Sequence, residues 1–331
     1  MRLLPSHLFS IFMMALLLPG CHYTEKHTVN SDQTAEEIDI HPYGDDLFAL
    51  DPMNLEPGLD SLTGEFSFFL GNEIDTQKAL QIRDFIMDPL NRELAERCAE
   101  KYHDITFLRS GLARLFKECD SYFAGFRYPV VYTYVSGLLY EMPVQYVDSV
   151  MIIGLDMFLG RDFEPYRAIG LPGYMTRRME KEDILPECAK QVAIYHLPMN
   201  PELKTLLDNM ILEGKVLYAM DLLLPGTPDS LKIGYTSAQM EWCRGNEKSI
   251  WRMMIDKELL YSSDPRTISK FMQDGPFTTG MPDGAPAMLG KYIGWQIVRS
   301  YMDKHDIALS ELFNSTDSQI ILNSSGYKPK K

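Results

Sequence analysis

The sequence has no C-x-x-C pair and only five cysteines, so neither a zinc ribbon nor a thioredoxin-like redox centre is indicated. No histidine is followed by glutamate, which removes the H-E-x-x-H helix of a zinc peptidase. There is no G-x-S-x-G elbow, no Walker loop and no dinucleotide fingerprint. Basic residues are in deficit: 32 Lys and Arg against 46 Asp and Glu give a net charge of −14. That argues against a nucleic-acid partner, whose phosphates demand basic patches, and against broad adsorption to anionic lipid heads. The one long apolar run, near the N terminus, is shorter than the ~20 residues that cross a bilayer. Apolar residues nevertheless make up 45% of the chain, enough for a sizeable core.

What is present begins with Cys21. Arg2 is followed by the apolar run Leu8 to Leu18, then Pro19-Gly20, then the cysteine. This order reads as a bacterial lipoprotein signal: charged start, apolar core, small residue, lipid-bearing cysteine. Residues 1–20 are then a processing segment outside the fold. A cysteine carrying two or more acyl chains stays on its membrane, so the membrane is the first expected partner. Residues 21–60 are acidic and rich in turn formers, including Glu36-Glu37, Asp45-Asp46, Pro42, Pro52 and Pro57. They read as a tether, with one strand possible between Ile38 and Leu50. Residues 61–331 read as a single globular domain.

Within that domain, Thr76 to Lys101 has helical periodicity broken by Pro89, predicting a kinked helix or two helices. Ile105 to Phe123 is a further amphipathic helix. Tyr128 to Val135 is dense in β-branched and aromatic residues and predicts a strand, and Val144 to Phe158 holds more strand signal. Segments 183–197, 202–223, 237–261, 264–273, 287–303 and 308–322 all read as helix. The order predicts a mostly helical α+β fold, a small sheet followed by a helical bundle. Cys98 and Cys119 fall at opposite ends of a helical hairpin and should not meet; a Cys188–Cys243 bridge stays open in an exported protein.

Two carboxylates stand on apolar helix faces. Glu213 lies among Leu206, Met210, Leu217 and Met220, and Glu247 among Cys243, Ile250, Trp251 and Met254. A carboxylate there is costly unless paired or ligating. The bland reading is a stripe-edge glutamate or a buried ion network, with Arg177, Arg178 and Arg244 as available bases. The functional reading is a cleft in which Lys215, Tyr218, Tyr235, Trp242 and Phe277 join the two acids; a carboxylate pair of this kind serves acid–base hydrolysis. Gly214 lets another backbone come close, and Gly290 and Gly294 at i, i+4 favour close helix packing. The Gly/Pro-rich loop from Asp274 to Pro286 carries Phe277 and has the length of a binding loop. His196, alone at a helix end, reads as a cap or surface residue.

Several segments together resemble the GldB family of gliding-motility lipoproteins of Bacteroidetes. They are Gly154-Leu155-Asp156-Met157-Phe158-Leu159-Gly160, Leu171-Pro172-Gly173-Tyr174, Leu206 to Lys215, Ile233-Gly234-Tyr235-Thr236, Trp242 to Glu247, Gly294 to Tyr301, and Ser325-Gly326-Tyr327-Lys328-Pro329. The resemblance covers residues 35 to 331. It implies an envelope component of the gliding-motility apparatus and the linked type IX secretion system, with other envelope proteins of those systems as partners. The peptide after Cys21 lacks the acidic cluster that marks surface export in such lipoproteins, which points to the periplasm. A more distant likeness is to zincin-type peptidases, whose third metal ligand precedes a glycine as Glu213 precedes Gly214. Val192 and Ala193 then stand where histidine and the catalytic glutamate belong. The likeness implies a degenerate zincin-like fold, a pseudoenzyme without metal or cofactor, its cleft kept for binding a peptide or small ligand.

Overall fold

The computed structural model describes residues 38–147, 149–198 and 203–329. Cys21, the signal at 1–20 and the start of the tether lie outside the described residues. An N-terminal group holds β1 (Ile40–His41), α1 (Tyr43–Phe48), α2 (Leu55–Leu62), α3 (Ser67–Leu70), α4 (Thr76–Met87), α5 (Pro89–Lys101) and α6 (Thr106–Tyr122). The sheet is completed by β2 (Val130–Tyr134), β3 (Val144–Val147) and β4 (Val150–Gly154). Then come α7 (Glu164–Ala168), α8 (Gly173–Thr176), α9 (Ile184–His196), α10 (Leu206–Leu223), α11 (Asp229–Ile233), α12 (Ser237–Asp256), α13 (Pro265–Met272), α14 (Leu289–Met302), α15 (Leu309–Asn314) and α16 (Ser318–Ser325). This is the mostly helical α+β arrangement expected from the sequence.

Strand order is β1-β2-β4-β3, with β1 and β4 parallel to β2 and β3 antiparallel to β4. Alternation along β2 serves two cores. Val131 faces the main core, which extends through Met151 and Ile153 into α6, α9, α10 and α14. Tyr132 faces a smaller core of Tyr43, Leu47, Leu59, Phe66 and Ile86. Period-two side chains make both contacts available to one strand.

The stretch read as tether and single strand differs. Ile40 pairs with Val131 and His41 with Tyr132, Arg109 donates to the Ile38 carbonyl at 2.7 Å, and Tyr43 stacks on Phe69. Among the described residues, then, 38–60 belong to the folded body. The strand stops after two residues, and Pro42 stands at the position before α1. Pro89 divides two helices: Asp88 accepts from the backbone N–H of Leu90 and Asn91 and Pro89 takes the first turn of α5, where a missing N–H costs nothing. The 237–261 segment is broken where Glu258 adopts φ 51°. The 308–322 segment splits at Asp317, which caps α16.

α10 and α14 cross through two glycines. A Cβ on Gly214 would sit 2.5 Å from the Gly294 carbonyl oxygen, and one on Gly294 would run into the Met210 carbonyl. Gly290 is likewise closed in, by Met272 and Phe271. Cys98, Cys119, Cys188 and Cys243 are buried and free, so Cys188 and Cys243 form no bridge. Burial pushes the Cys243 thiol up to about 12. No helix among the described residues is long and apolar enough to cross a membrane.

Candidate functional site

The residues singled out from sequence fall on α10, on or just before α12 and in the loop before α14, and all but Phe277 have an internal partner or a packing role. The capping box of Thr205 and Asp208 starts α10 and sets its phase, so Leu206, Met210, Leu217 and Met220 are buried and Glu213 emerges at the stripe edge. Its carboxylate pairs with Lys291 of α14 at 3.0 Å. Glu247, on α12, accepts from two phenols: Tyr292 at 2.8 Å and Tyr327 at 2.7 Å. Burial, reinforced by Glu247, keeps the Tyr292 and Tyr327 phenols firmly protonated. Glu247 therefore fastens the C-terminal segment to the bundle. Both acids reach α14, at adjacent residues, yet no hydrogen bond or ion pair joins them among the described residues.

Lys215 points away from this pair and is buried. Its ammonium donates to the carbonyls of Phe313 and Ser315, at 3.5 and 2.5 Å, closing the C-terminal end of α15 as a cation does well. Burial pushes this ammonium down to about 8. The unfolded chain holds the same proton to about pH 10.4, so between those values the unfolded state binds more protons and stability rises with pH. In Lys215→Met this rise, about 2 kcal/mol, is expected to disappear. Denaturant titrations of both proteins near pH 7.5 and pH 10 measure it.

Tyr235 is buried and donates to the Ala287 carbonyl at 2.5 Å. Arg177 pairs with Asp274 at 2.7 Å, and Thr278 donates to the Pro286 carbonyl at 2.7 Å. These contacts pin the Gly/Pro-rich loop, while Trp242, half-buried, lies against Gly284. Phe277 is left exposed on that loop, and Tyr218 is half-buried. His196 donates its Nδ1–H to the Val192 carbonyl at 2.9 Å and stacks on Phe123 at 4.1 Å, with Phe126, Tyr146 and Tyr195 around it. It is an aromatic-packed cap. Among the described residues no group of three or more His, Cys, Asp or Glu is placed to hold a metal. Neither of two open surface grooves is lined by Glu213 or Glu247.

Two polar centres escaped the sequence reading. Arg299 of α14 forks onto Asp221 of α10, with both bonds at 2.7 Å, and onto Asp229 of α11 at 2.9 and 3.0 Å. Lys232 and the Trp295 indole also donate to Asp221, at 2.8 and 2.9 Å, and the guanidinium lies 3.7 Å from the Trp295 ring centre. Trp295 and Arg299 at i, i+4 are the only local signal. Burial alone would raise the Asp229 carboxyl, but hydrogen bonds and charge from Arg299, with Arg244, hold it below the usual carboxylate range. The second centre is Asp156, fully buried. It accepts from the Ser136 N–H and hydroxyl and the Leu138 N–H at 2.7 to 2.8 Å, fixing a turn in which Leu138 has φ 64°. Burial raises its carboxyl, against those bonds.

Fold and site together define a mostly helical α+β protein whose half-buried charges tie helices and chain ends to one another. The family follows from comparison with known proteins. Residues 24–329 match the family described as gliding motility protein GldB, and the chain belongs to that family. Membership makes it a gliding-motility lipoprotein of the cell envelope. No curated protein and no solved structure matches it.

Proposed function

We propose that this protein is anchored by lipid on Cys21, faces the periplasm, and serves the gliding-motility and type IX secretion apparatus of a Bacteroidetes cell by contact rather than catalysis. The observation that carries this is the family match over residues 24–329, joined to the signal pattern ending at Cys21. The geometry supports a contact role: Glu213 is neutralised by Lys291, and Glu247 is occupied by two phenols. A hydrolytic pair needs both carboxyls open to substrate and water.

The test is fractionation of cells expressing the full chain or Cys21→Ala, followed by pull-down from gently solubilised membranes. The wild type is expected in the membrane fraction together with motility or secretion proteins of the envelope. The variant should shift to the soluble fraction by about tenfold or more, as loss of the acyl chains implies, and should recover fewer partners. A variant that stays on the membrane would remove Cys21 as the anchor. Recovery of the wild type alone would remove the assembly role.

A further inference from the structure

On a chain that is acidic as a whole, the outer face of α12 carries a run of basic side chains, bounded by exposed Glu241 at one end and by Asp256 and Glu258 at the other. Arg244, Lys248 and Arg252 follow at i, i+4 and i+8, on one helix face, and all three are exposed. Lys257 stands just beyond the helix end. The C-terminal segment is held to α12 beside this face, with Tyr327 fixed by Glu247 and by edge-to-face contact with Trp251 at 5.2 Å, and the next residue, Lys328, is exposed. Arg244 has an acidic partner, Asp229 at 3.1 Å. Lys248, Arg252, Lys257 and Lys328 have no ion-pair partner among the described residues. Lys248, Ser249, Arg252, Met253, Asp256 and Lys257 line an open groove, in which Asp256 is the one carboxylate. Ile255 and Tyr261 are exposed at the same end of the helix, 46% and 59%.

Like charges four residues apart on a helix repel, so an unpaired cationic row is unfavourable until an anion meets it. The exposed isoleucine and tyrosine narrow the choice of anion. Tyrosine is enriched at the boundary between lipid headgroups and hydrocarbon, and an apolar side chain beside a basic helix face is how peripheral helices hold a bilayer. Neither side chain serves a free phosphate ion.

We propose that this face of α12 docks on anionic phospholipid headgroups, with lipid phosphates seated among Lys248, Arg252 and Lys257 and with Ile255 and Tyr261 in the interfacial layer. The setting rests on the lipid-anchored reading above; the contact itself needs no acyl chain. Fully extended, the chain from Cys21 to Ile38 covers at most about 60 Å, so the tether alone does not select the face presented to the membrane. The net charge of −14 repels the remainder of the surface from an anionic bilayer. Contact is thereby confined to this face, and the anchored domain is held in one orientation.

The test uses the full chain carrying Cys21→Ala, so that no lipid anchor contributes, in co-sedimentation with vesicles. Vesicles of phosphatidylglycerol with phosphatidylcholine are expected to capture the protein at low salt. Pure phosphatidylcholine should not, and capture should fade at about 0.5 M salt as the charges are screened. The triple variant Lys248→Glu, Arg252→Glu, Lys257→Glu should lose about tenfold or more of the partition. Ile255→Ser with Tyr261→Ser should weaken capture while leaving its salt dependence unchanged. All these side chains are exposed, and an unchanged unfolding midpoint checks that the variants fold. Equal recovery on both vesicle types, or none on either, overturns the proposal. Binding of inorganic phosphate, or of an acidic peptide, without vesicle capture overturns it in favour of that ligand. Failure of the Cys21 anchor in cells would leave this vesicle result untouched, so the two readings fail separately.

Discussion

Gly294→Ala is expected to cost about 3 kcal/mol or more, at the upper end for an overpacked core. The new Cβ would run into the Met210 carbonyl, and the facing position is no more forgiving, since a Cβ on Gly214 would lie 2.5 Å from the Gly294 oxygen and 2.6 Å from its carbonyl carbon. These obstacles are backbone atoms inside helices, so no side chain can swing aside. α10 and α14 must separate, and the packing of Met210, Ile293 and Trp295, each essentially inaccessible to solvent, goes with them. The same substitution at Gly245, also mid-helix, meets nothing within 4 Å. There it should stabilise by about 1 kcal/mol, because alanine loses less backbone entropy than glycine in a helix. Urea unfolding of both variants checks the contrast. A Gly294→Ala midpoint equal to wild type would sink the close crossing.

Arg299→Met should lose about 3–5 kcal/mol at neutral pH, the cost of leaving partly buried carboxylates without their counter-ion. Asp221 and Asp229 are only 17% and 22% exposed and are both forked onto Arg299. Arg299→Lys should rescue little, since an ammonium cannot serve two carboxylates bidentately while lying over Trp295. Adding Asp221→Asn and Asp229→Asn to Arg299→Met should recover part of the loss. The pH dependence has a defined sign. Asp229 is held below its ordinary value, so it contributes stability above about pH 4 that is lost as pH falls through its folded value. Arg299→Met should therefore show a flatter acid limb between about pH 5 and pH 2 than wild type. A parallel acid limb would mean that Asp229 does not depend on Arg299.

The periodic parts of the fold were legible because their periodicity has a local cause. The Thr205 and Thr236 capping boxes and the β-branched run of β2 act over a few residues. Pro89 marked a boundary, and the structure adds that Asp88 before it ends α4 and caps α5. Less of the N-terminal region was readable. β1 is only two residues long, and α1 to α3 owe their place to the aromatic packing of Tyr43, Phe66, Phe69 and Tyr132, which pairs residues far apart in sequence. For the candidate site, the unusual placement of Glu213 and Glu247 was visible, but their partners were not. Lys291, Tyr292 and Tyr327 lie 45 to 80 residues from Glu247 or on another helix from Glu213. The Arg299 fork, at 70 and 78 residues from its acids, was beyond any local pattern for the same reason.

The edge position of β1 has a mechanical consequence. Among the described residues, the N-terminal stretch is held to the sheet by two residues of parallel pairing of Ile40–His41 to β2, helped by the Arg109 clasp on Ile38. Two residues of ladder at a sheet edge give few hydrogen bonds against a pull, whereas the glycine-crossed helices of the bundle are locked by backbone packing. Tyr43, stacked on Phe69 just behind β1, is the next stop. A pull on the described N-terminal stretch would thus meet a graded grip, the short edge pairing first and the aromatic stack behind it.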